Sequence, residues 1–359
     1  MAAGVLAMAK TGVVCPVGLS APQAAASIRA GVSRVAESSL MGHDFNPIVA
    51  GFLAEDVLPP LDEGLVATPD LTSLQRRLLR LASPALQEAC QGLPDLGPIP
   101  LLLAGPRPTP GHPPILREDF LELLSKQAKL ALHPTASKLY ALGRAGVFLA
   151  IQEAATAYLF PGRAPCVLVG GVDSYLDPVR LDILQQQGRL KTAGLSDGFS
   201  PGEGAAFLLL STSDWCQKQG LAPLASIAGV GLGMEPGHQQ SDQPYRGDGL
   251  AEAVTQLFEA VGDPKLKVET VLAGYTGESF HTKEWGVAFL RNRKHFAPDP
   301  KLEHPAEYTG DLGAALAPLM MATSAVGLGK GYLAPPALVW ASSDEAERGA
   351  SLLLRAEKA

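Results

Sequence analysis

The sequence predicts an α/β fold built from two similar halves. Two observations carry the prediction. Short apolar or β-branched runs alternate with alanine-rich stretches of helical length, the pattern of a sheet covered by helices. One stretch is also echoed along the chain. GRAGVFLAIQEA from Gly143 is similar to GDLGAALAPLMMA from Gly310. Each precedes a related apolar run, APCVLVGG from Ala164 and APPALVWAS from Ala334, at closely similar spacing.

The elements follow in order. Residues 4–18 read as a strand and a Pro/Gly turn. Residues 21–30 read as a helix closed by Gly31, a residue type that takes the left-handed conformation after a helix. Residues 73–91 place Leu74, Leu78, Leu79 and Leu86 at helical spacing, which predicts an amphipathic helix. Residues 99–104 form a short buried strand, and the proline- and glycine-rich residues 105–114 form a surface loop. A helix opens at Gly143 and runs to about residue 158. Strands are expected at 165–170 and 205–211, and residues 215–220 read as a hinge. Beyond it come a strand at 225–230, a helix at 249–261 ended by Gly262, a strand at 268–273, a helix after Gly310, and a strand pair at 336–341 and 349–354. The halves are taken as residues 1–215 and 216–359.

Composition excludes several classes of function. The chain has 359 residues, 47% of them hydrophobic, enough to bury a large core. A net charge of −7 without Lys/Arg runs speaks against nucleic acid, and no apolar run is long enough to span a bilayer. Residues 1–9 are apolar but lack a basic leader, so they read as a strand start rather than a signal peptide, and a reducing cytoplasm is the expected compartment. Cys15, Cys90, Cys166 and Cys216 are far apart with no CxxC pairing, so neither zinc nor a disulfide framework is expected; the first three sit among apolar neighbours, as buried thiols do. GLGKG at 327–331 lacks P-loop spacing and reads as a turn, and no dinucleotide fingerprint occurs, so no cofactor is expected.

Several motifs, in order, carry a resemblance. TGVVCPVGLSAPQAAASIRAG (11–31) offers a strand, turn and helix. VLVGGVDS (167–174) is a strand with a double glycine. SDGFSPGEGAAFLLL (196–210) carries a DGFxxGEGA signature. LAGYTGES (272–279), TGDLGAAL (309–316) and ASLLL (350–354) follow. Together they resemble the β-ketoacyl synthase branch of the thiolase superfamily, with residues 35–135 shortened and divergent. The resemblance implies a five-layer αβαβα fold of two duplicated halves, usually dimeric.

A condensing enzyme of that kind needs a cysteine thiolate at a helix N-terminus, two histidines and an oxyanion hole. Laid on the family's turns, the cysteine position reads Gly143 and the two histidine positions read Gly274 and Gly310. Moving the first turn by one residue offers Leu142 or Arg144, and still no cysteine. The family's glycine-rich loop near the C-terminus becomes SSDEAER (342–348), where Asp344, Glu345 and Glu347 would be costly beside a dry acyl pocket unless paired or solvated. The expectation is a chain with no catalytic residues and these three glycines as vestigial positions.

His43, His112, His133, His238, His281, His295 and His304 read as ordinary surface or loop histidines; His281 and His304 lie close enough in sequence to the altered turns to approach a cleft. Gly198–Gly202 satisfies G-x-S-x-G, but a strand rather than a helix follows, against a hydrolase elbow. Ser200 and Ser279, with Glu203 nearby, are the relocated nucleophiles a residual acyltransferase or hydrolase would use. The resemblance itself suggests a non-catalytic scaffold, accessory or adaptor, as for stand-alone thiolase-like proteins encoded beside type VI secretion effectors. The alternatives are a chain-length-factor-like partner subunit in fatty acid or polyketide synthesis, or an acyl- or CoA-binding module. Expected partners are a second copy or a thiolase-like homologue, with an effector or carrier protein besides.

Overall fold

The structure, a computed structural model, describes residues 4–43, 45–94, 96–109, 111–192 and 197–356. Residues 1–3 of the N-terminal strand, Pro110 of the predicted loop and Ser196 of the DGFxxGEGA motif lie outside the described residues. The first part of the chain contributes β1 (Leu6–Val14), β2 (Val35–Met41), β3 (Pro47–Gly51), β4 (Leu101–Ala104), β5 (Lys138–Tyr140), β6 (Cys166–Ser174) and β7 (Glu203–Ser211). The second contributes β8 (Ala225–Met234), β9 (Val268–Ala273), β10 (Phe296–Glu303), β11 (Ala337–Ser342) and β12 (Glu347–Arg355).

Ten of these strands pair in the order β10-β9-β11-β12-β8-β1-β7-β6-β4-β5, while β2 and β3 form a separate hairpin. The order is the same topology written twice. In each half the first strand pairs antiparallel with the last, the last antiparallel with the fourth, and the remaining pairs are parallel. The halves meet where Leu6–Met8 pairs with Ala225–Ile227. The echo between Gly143 and Gly310 is thus a duplication in space.

Strand alternation sorts the core into layers. Along β7, Ala206, Leu208 and Leu210 face the central cluster, while Ala205, Phe207 and Leu209 face an outer one. Both faces are apolar because both are covered, which is why this strand reads as an unbroken hydrophobic run. The central layer holds the two echoed helices, Gly146–Glu153 with its continuation to Leu159, and Leu316–Lys330. Helix Ser73–Cys90, opened by a Thr72/Gln75 capping box, packs with Phe120–Ala128 on one outer face. Helices Asp248–Val261 and Ser279–Arg291 cover the other. The result is the expected αβαβα stack.

Two local readings are corrected. Residues 215–220 fall mostly in a short helix, Ser213–Lys218, because the Thr212 hydroxyl caps it by accepting from the Trp215 N–H and Cys216 packs into the core. GLGKG is the last turn of helix Leu316–Lys330, closed by Gly331 at φ 76°, and not a free turn. Its Gly327 is needed for packing, since a Cβ there would stand 2.6 Å from Leu333 Cδ1.

Candidate functional site

A cleft of about 180 Å³ opens where the first of the two echoed helices begins. Of the three glycines expected to be vestigial positions, Gly143 lines it. It has φ +68°, and a Cβ there would meet only Ser343 Oγ at 3.5 Å. Gly274 and Gly310 are pressed against backbone. A Cβ would stand 2.8 Å from Trp340 O at the first and 2.8 Å from Pro201 O at the second. Glycine at these two places lets segments approach closely, with no space for a side chain.

The side chains between the helix starts are one residue further on, at Arg144 and Asp311. Arg144 Nε donates to Asp311 Oδ1 at 3.1 Å and Oδ2 at 2.9 Å, and both side chains are almost wholly buried. Arg144 Nη1 donates to Asp344 Oδ1 at 2.6 Å and Nη2 to the Tyr175 hydroxyl at 3.1 Å. Arg189 grips the same Asp344 carboxylate with two bonds of 3.0 Å and holds Glu278 with two more, at 2.8 and 2.9 Å. Arg180 donates to Asp173 Oδ1 at 2.6 Å. The acids of the 342–348 loop are therefore paired, as the cost of burying them demands. Glu345 and Glu347 both bind Arg107 at the mouth of the cleft.

These contacts set the electrostatics. Burial alone would raise the Asp344 carboxyl, but Arg144 and Arg189 more than offset it and hold it well below the usual carboxylate range. Burial opposes ionisation of Glu278 as well, and Arg189 again lowers it. Burial would also weaken the charge on Arg144, yet Asp311 and its other acidic neighbours keep it firmly protonated. A cation at a helix N-terminus faces the wrong end of the helix dipole. Asp311 and Asp344 neutralise it there.

The amides that would form an anion-stabilising nest are in use. Gly143 N donates to Gly105 O and Ala145 N to Ser343 Oγ, each at 3.0 Å. At the second helix Gly313 N donates to Asp311 Oδ1 and Ala314 N to Asp173 Oδ2, again at 3.0 Å. Gly313 must be glycine, with φ +53° and a would-be Cβ 2.1 Å from Asp173 Oδ2. None of the four cysteines lines the cleft. Cys15 and Cys166 are buried, and burial pushes both thiols up to about 12; Cys90 is only half-buried and is pushed to about 11.

The histidine reading needs one correction. His281, in the first turn of helix Ser279–Arg291, is fully buried; its Nδ1 lies 3.0 Å from Thr276 Oγ1, and burial followed by nearby Arg144 pushes its pKa down to about 4. His304 stays half-exposed, with Nδ1 3.2 Å from Glu307 Oε2. It shares a separate cavity with Ser200. Ser200 is followed by strand β7, so the helix a nucleophile elbow requires is absent there. Ser279 spends its hydroxyl on Asp197 Oδ2 at 2.8 Å. Glu203 is buried and tied to Arg77 Nε at 2.8 Å and Leu53 N at 2.9 Å, a structural anchor for the divergent first half. Sequence reasoning missed Asp173, Tyr175, Arg180 and Arg189. Arg144 and Asp311 were open to it, since each follows the echoed glycine.

Among the described residues no cluster of His, Cys, Asp or Glu could hold a metal ion, and no helix is long and apolar enough to cross a membrane. No protein-family model and no curated protein matches the chain. Solved structures do. The AntDE:AntF structure, a type II polyketide synthase acyl-carrier protein in complex with its ketosynthase bound to the hexaketide, is similar with a TM-score of 0.76 at 17% identity, covering 99% of this chain and 100% of that one. The ishigamide ketosynthase/chain length factor gives 0.78 at 15%, with 99% and 100% covered. The ketosynthase from module 6 of the bacillaene synthase from Bacillus subtilis 168 gives 0.78 at 13%, covering 98% of this chain and 72% of that one. The chain therefore has the thiolase-like fold of the ketosynthases and chain length factors.

Proposed function

We propose that this chain is a non-condensing member of the ketosynthase-like fold that works as a protein-binding subunit, an accessory or adaptor. One observation carries the reading: Arg144 and Asp311, at the starts of the two echoed helices, pair with each other, and Arg144 together with Arg189 holds Asp344 in the cleft. We take the glycines just before them, Gly143 and Gly310, as the places where a condensing enzyme would carry its cysteine and a histidine. The cleft then holds no cysteine, its Ser343 hydroxyl is engaged by the Leu142 carbonyl, amides at both helix starts are spent, and its charged floor disfavours an apolar acyl chain. What the fold retains is a rigid body with large outer faces, divided as we read it into residues 1–215 and 216–359. The type VI effector context suggested by sequence is one setting for such an adaptor.

A second reading is a chain-length-factor-like partner of an active synthase, favoured by the likeness to the ishigamide ketosynthase/chain length factor. Affinity purification of the tagged full chain from its native host separates the two. A stoichiometric non-synthase protein supports the adaptor, and an active ketosynthase supports the second reading. A chain that elutes alone at low salt contradicts both.

A further inference from the structure

Arg180 lines the cleft with half of its guanidinium unused. It stands on helix Pro178–Gln186, where Arg180, Ile183, Leu184 and the following Gln187 recur at helical spacing and all border the cleft. The guanidinium is held in place. Its Nη1 donates to Asp173 Oδ1 at 2.6 Å and to the Ser174 carbonyl, and its central carbon lies 4.4 Å over the centre of the Tyr175 ring. The opposite edge is unpaired. Nε and Nη2 donate to no atom among the described residues, and neither nitrogen is sealed from solvent.

Those two nitrogens form a side-on fork, two parallel N–H groups that match both oxygens of a carboxylate. Arg189 shows the same fork in use, its Nε and Nη2 holding the two oxygens of Glu278 at 2.8 and 2.9 Å. The other arginines of the cleft are taken up by acids: Arg144 by Asp311 and Asp344, Arg189 by Glu278 and Asp344, Arg107 by Glu345 and Glu347. Arg180 alone among them keeps a whole fork open, and at 12% side-chain exposure few waters can serve it.

We propose that the cleft binds a short monocarboxylate, its oxygens on Arg180 Nε and Nη2 and its carbon chain along Ile183 and Leu184. A space of about 180 Å³ limits the ligand to a few carbons. Asp173, Asp344 and Glu345 also line the cleft, which favours a monoanion over a dianion such as phosphate. The proposal rests on the reading of the cleft as non-condensing, under which the acid is held and not converted.

Calorimetry on the full chain with butanoate, its neutral isostere butanamide and inorganic phosphate tests it. Butanoate binds saturably, and the other two bind about tenfold more weakly or less, the scale of a lost charge-assisted hydrogen bond. Arg180→Lys keeps a positive charge but removes the fork, and weakens butanoate about tenfold. Ile183→Trp fills the cleft without altering the Arg180–Asp173 pair and abolishes binding, so the test stands even where Arg180→Lys disturbs the fold, which circular dichroism checks. No saturable binding of butanoate, or binding that ignores Ile183→Trp, overturns the site. Phosphate binding more tightly than butanoate overturns the choice of a carboxylate. The adaptor reading is judged on a different readout, capture of a protein partner, so the two failures are told apart.

Discussion

Arg144 Nε lies 2.9 Å from Asp311 Oδ2, joining the first turn of one echoed helix to the segment leading into the other; the two residues are 167 apart in sequence (311 − 144) and the helices are topologically equivalent. Each residue follows a glycine with a left-handed backbone, Gly143 at φ +68° and Gly310 at φ +71°. The duplicated fold therefore brings opposite charges to the two matching points of its central layer, and the pair closes the space between them.

The pair is expected to be strongly coupled. Arg144→Met or Asp311→Leu alone strands a buried charge and costs about 3–5 kcal/mol. The double variant costs less than the sum of the singles by about 1–3 kcal/mol. Urea unfolding of the four proteins measures the cycle; simple additivity would show that the two charges do not depend on each other.

Acidification is expected to destabilise the fold in a window set by His281. Its folded pKa is about 4 against an ordinary 6.5, so between those values the unfolded chain binds the extra proton. Stability therefore rises with pH through that window and is lost as pH falls, by about 3 kcal/mol in all. Glu278 and Asp344, held low by their arginines, add losses at lower pH as they protonate. His281→Gln flattens the upper window, leaving the smaller slope from His295, which burial also holds down. Unfolding free energies of both proteins from pH 7 to 4 provide the check, and an unchanged slope in the variant would contradict it.

Placing side chains at Gly143 and Gly274 is expected to have unequal costs. Gly143→Cys has space and loses about 1–2 kcal/mol, the cost of a left-handed backbone for a residue with a Cβ. Gly274→His forces Cβ against the Trp340 carbonyl and loses more, because backbone must move. Thermal unfolding ranks the two, and the opposite order would mean that β9 and β11 give way more readily than their packing indicates.

Much of this fold was legible because its signals are local. The AAFLLLS run is apolar on both faces because β7 is covered on both, and the repeated glycines announce the central helices. Strand β10 hid because Pro298 and Pro300 break a strand pattern, which an edge position tolerates. Helix Ser213–Lys218 hid behind its glycine, although Thr212 carried a capping signal. The cleft was half legible. Sequence could say that no cysteine follows the first turn, but nothing local marks Arg180 and Arg189 as lining the cleft. Arg180 pairs with Asp173, seven residues back, across a strand-to-helix turn, while the partners of Arg189 come from distant segments, and only the assembled sheet brings Glu278 and Asp344 within its reach.

Native thiols are expected to be inert. Burial raises the pKa of all four cysteines, so the thiolate that reacts is scarce at pH 8. Iodoacetamide should leave the folded chain essentially unmodified by intact mass, with four adducts after unfolding. One thiol alkylated within minutes would reveal an activated cysteine.

The most direct measurement is the intact mass of the full chain after incubation with acetyl- and hexanoyl-thioesters. A cleft lined by the Arg144–Asp344 pair and holding no cysteine predicts an unchanged mass. A stoichiometric acyl adduct on a residue lining that cleft would contradict it.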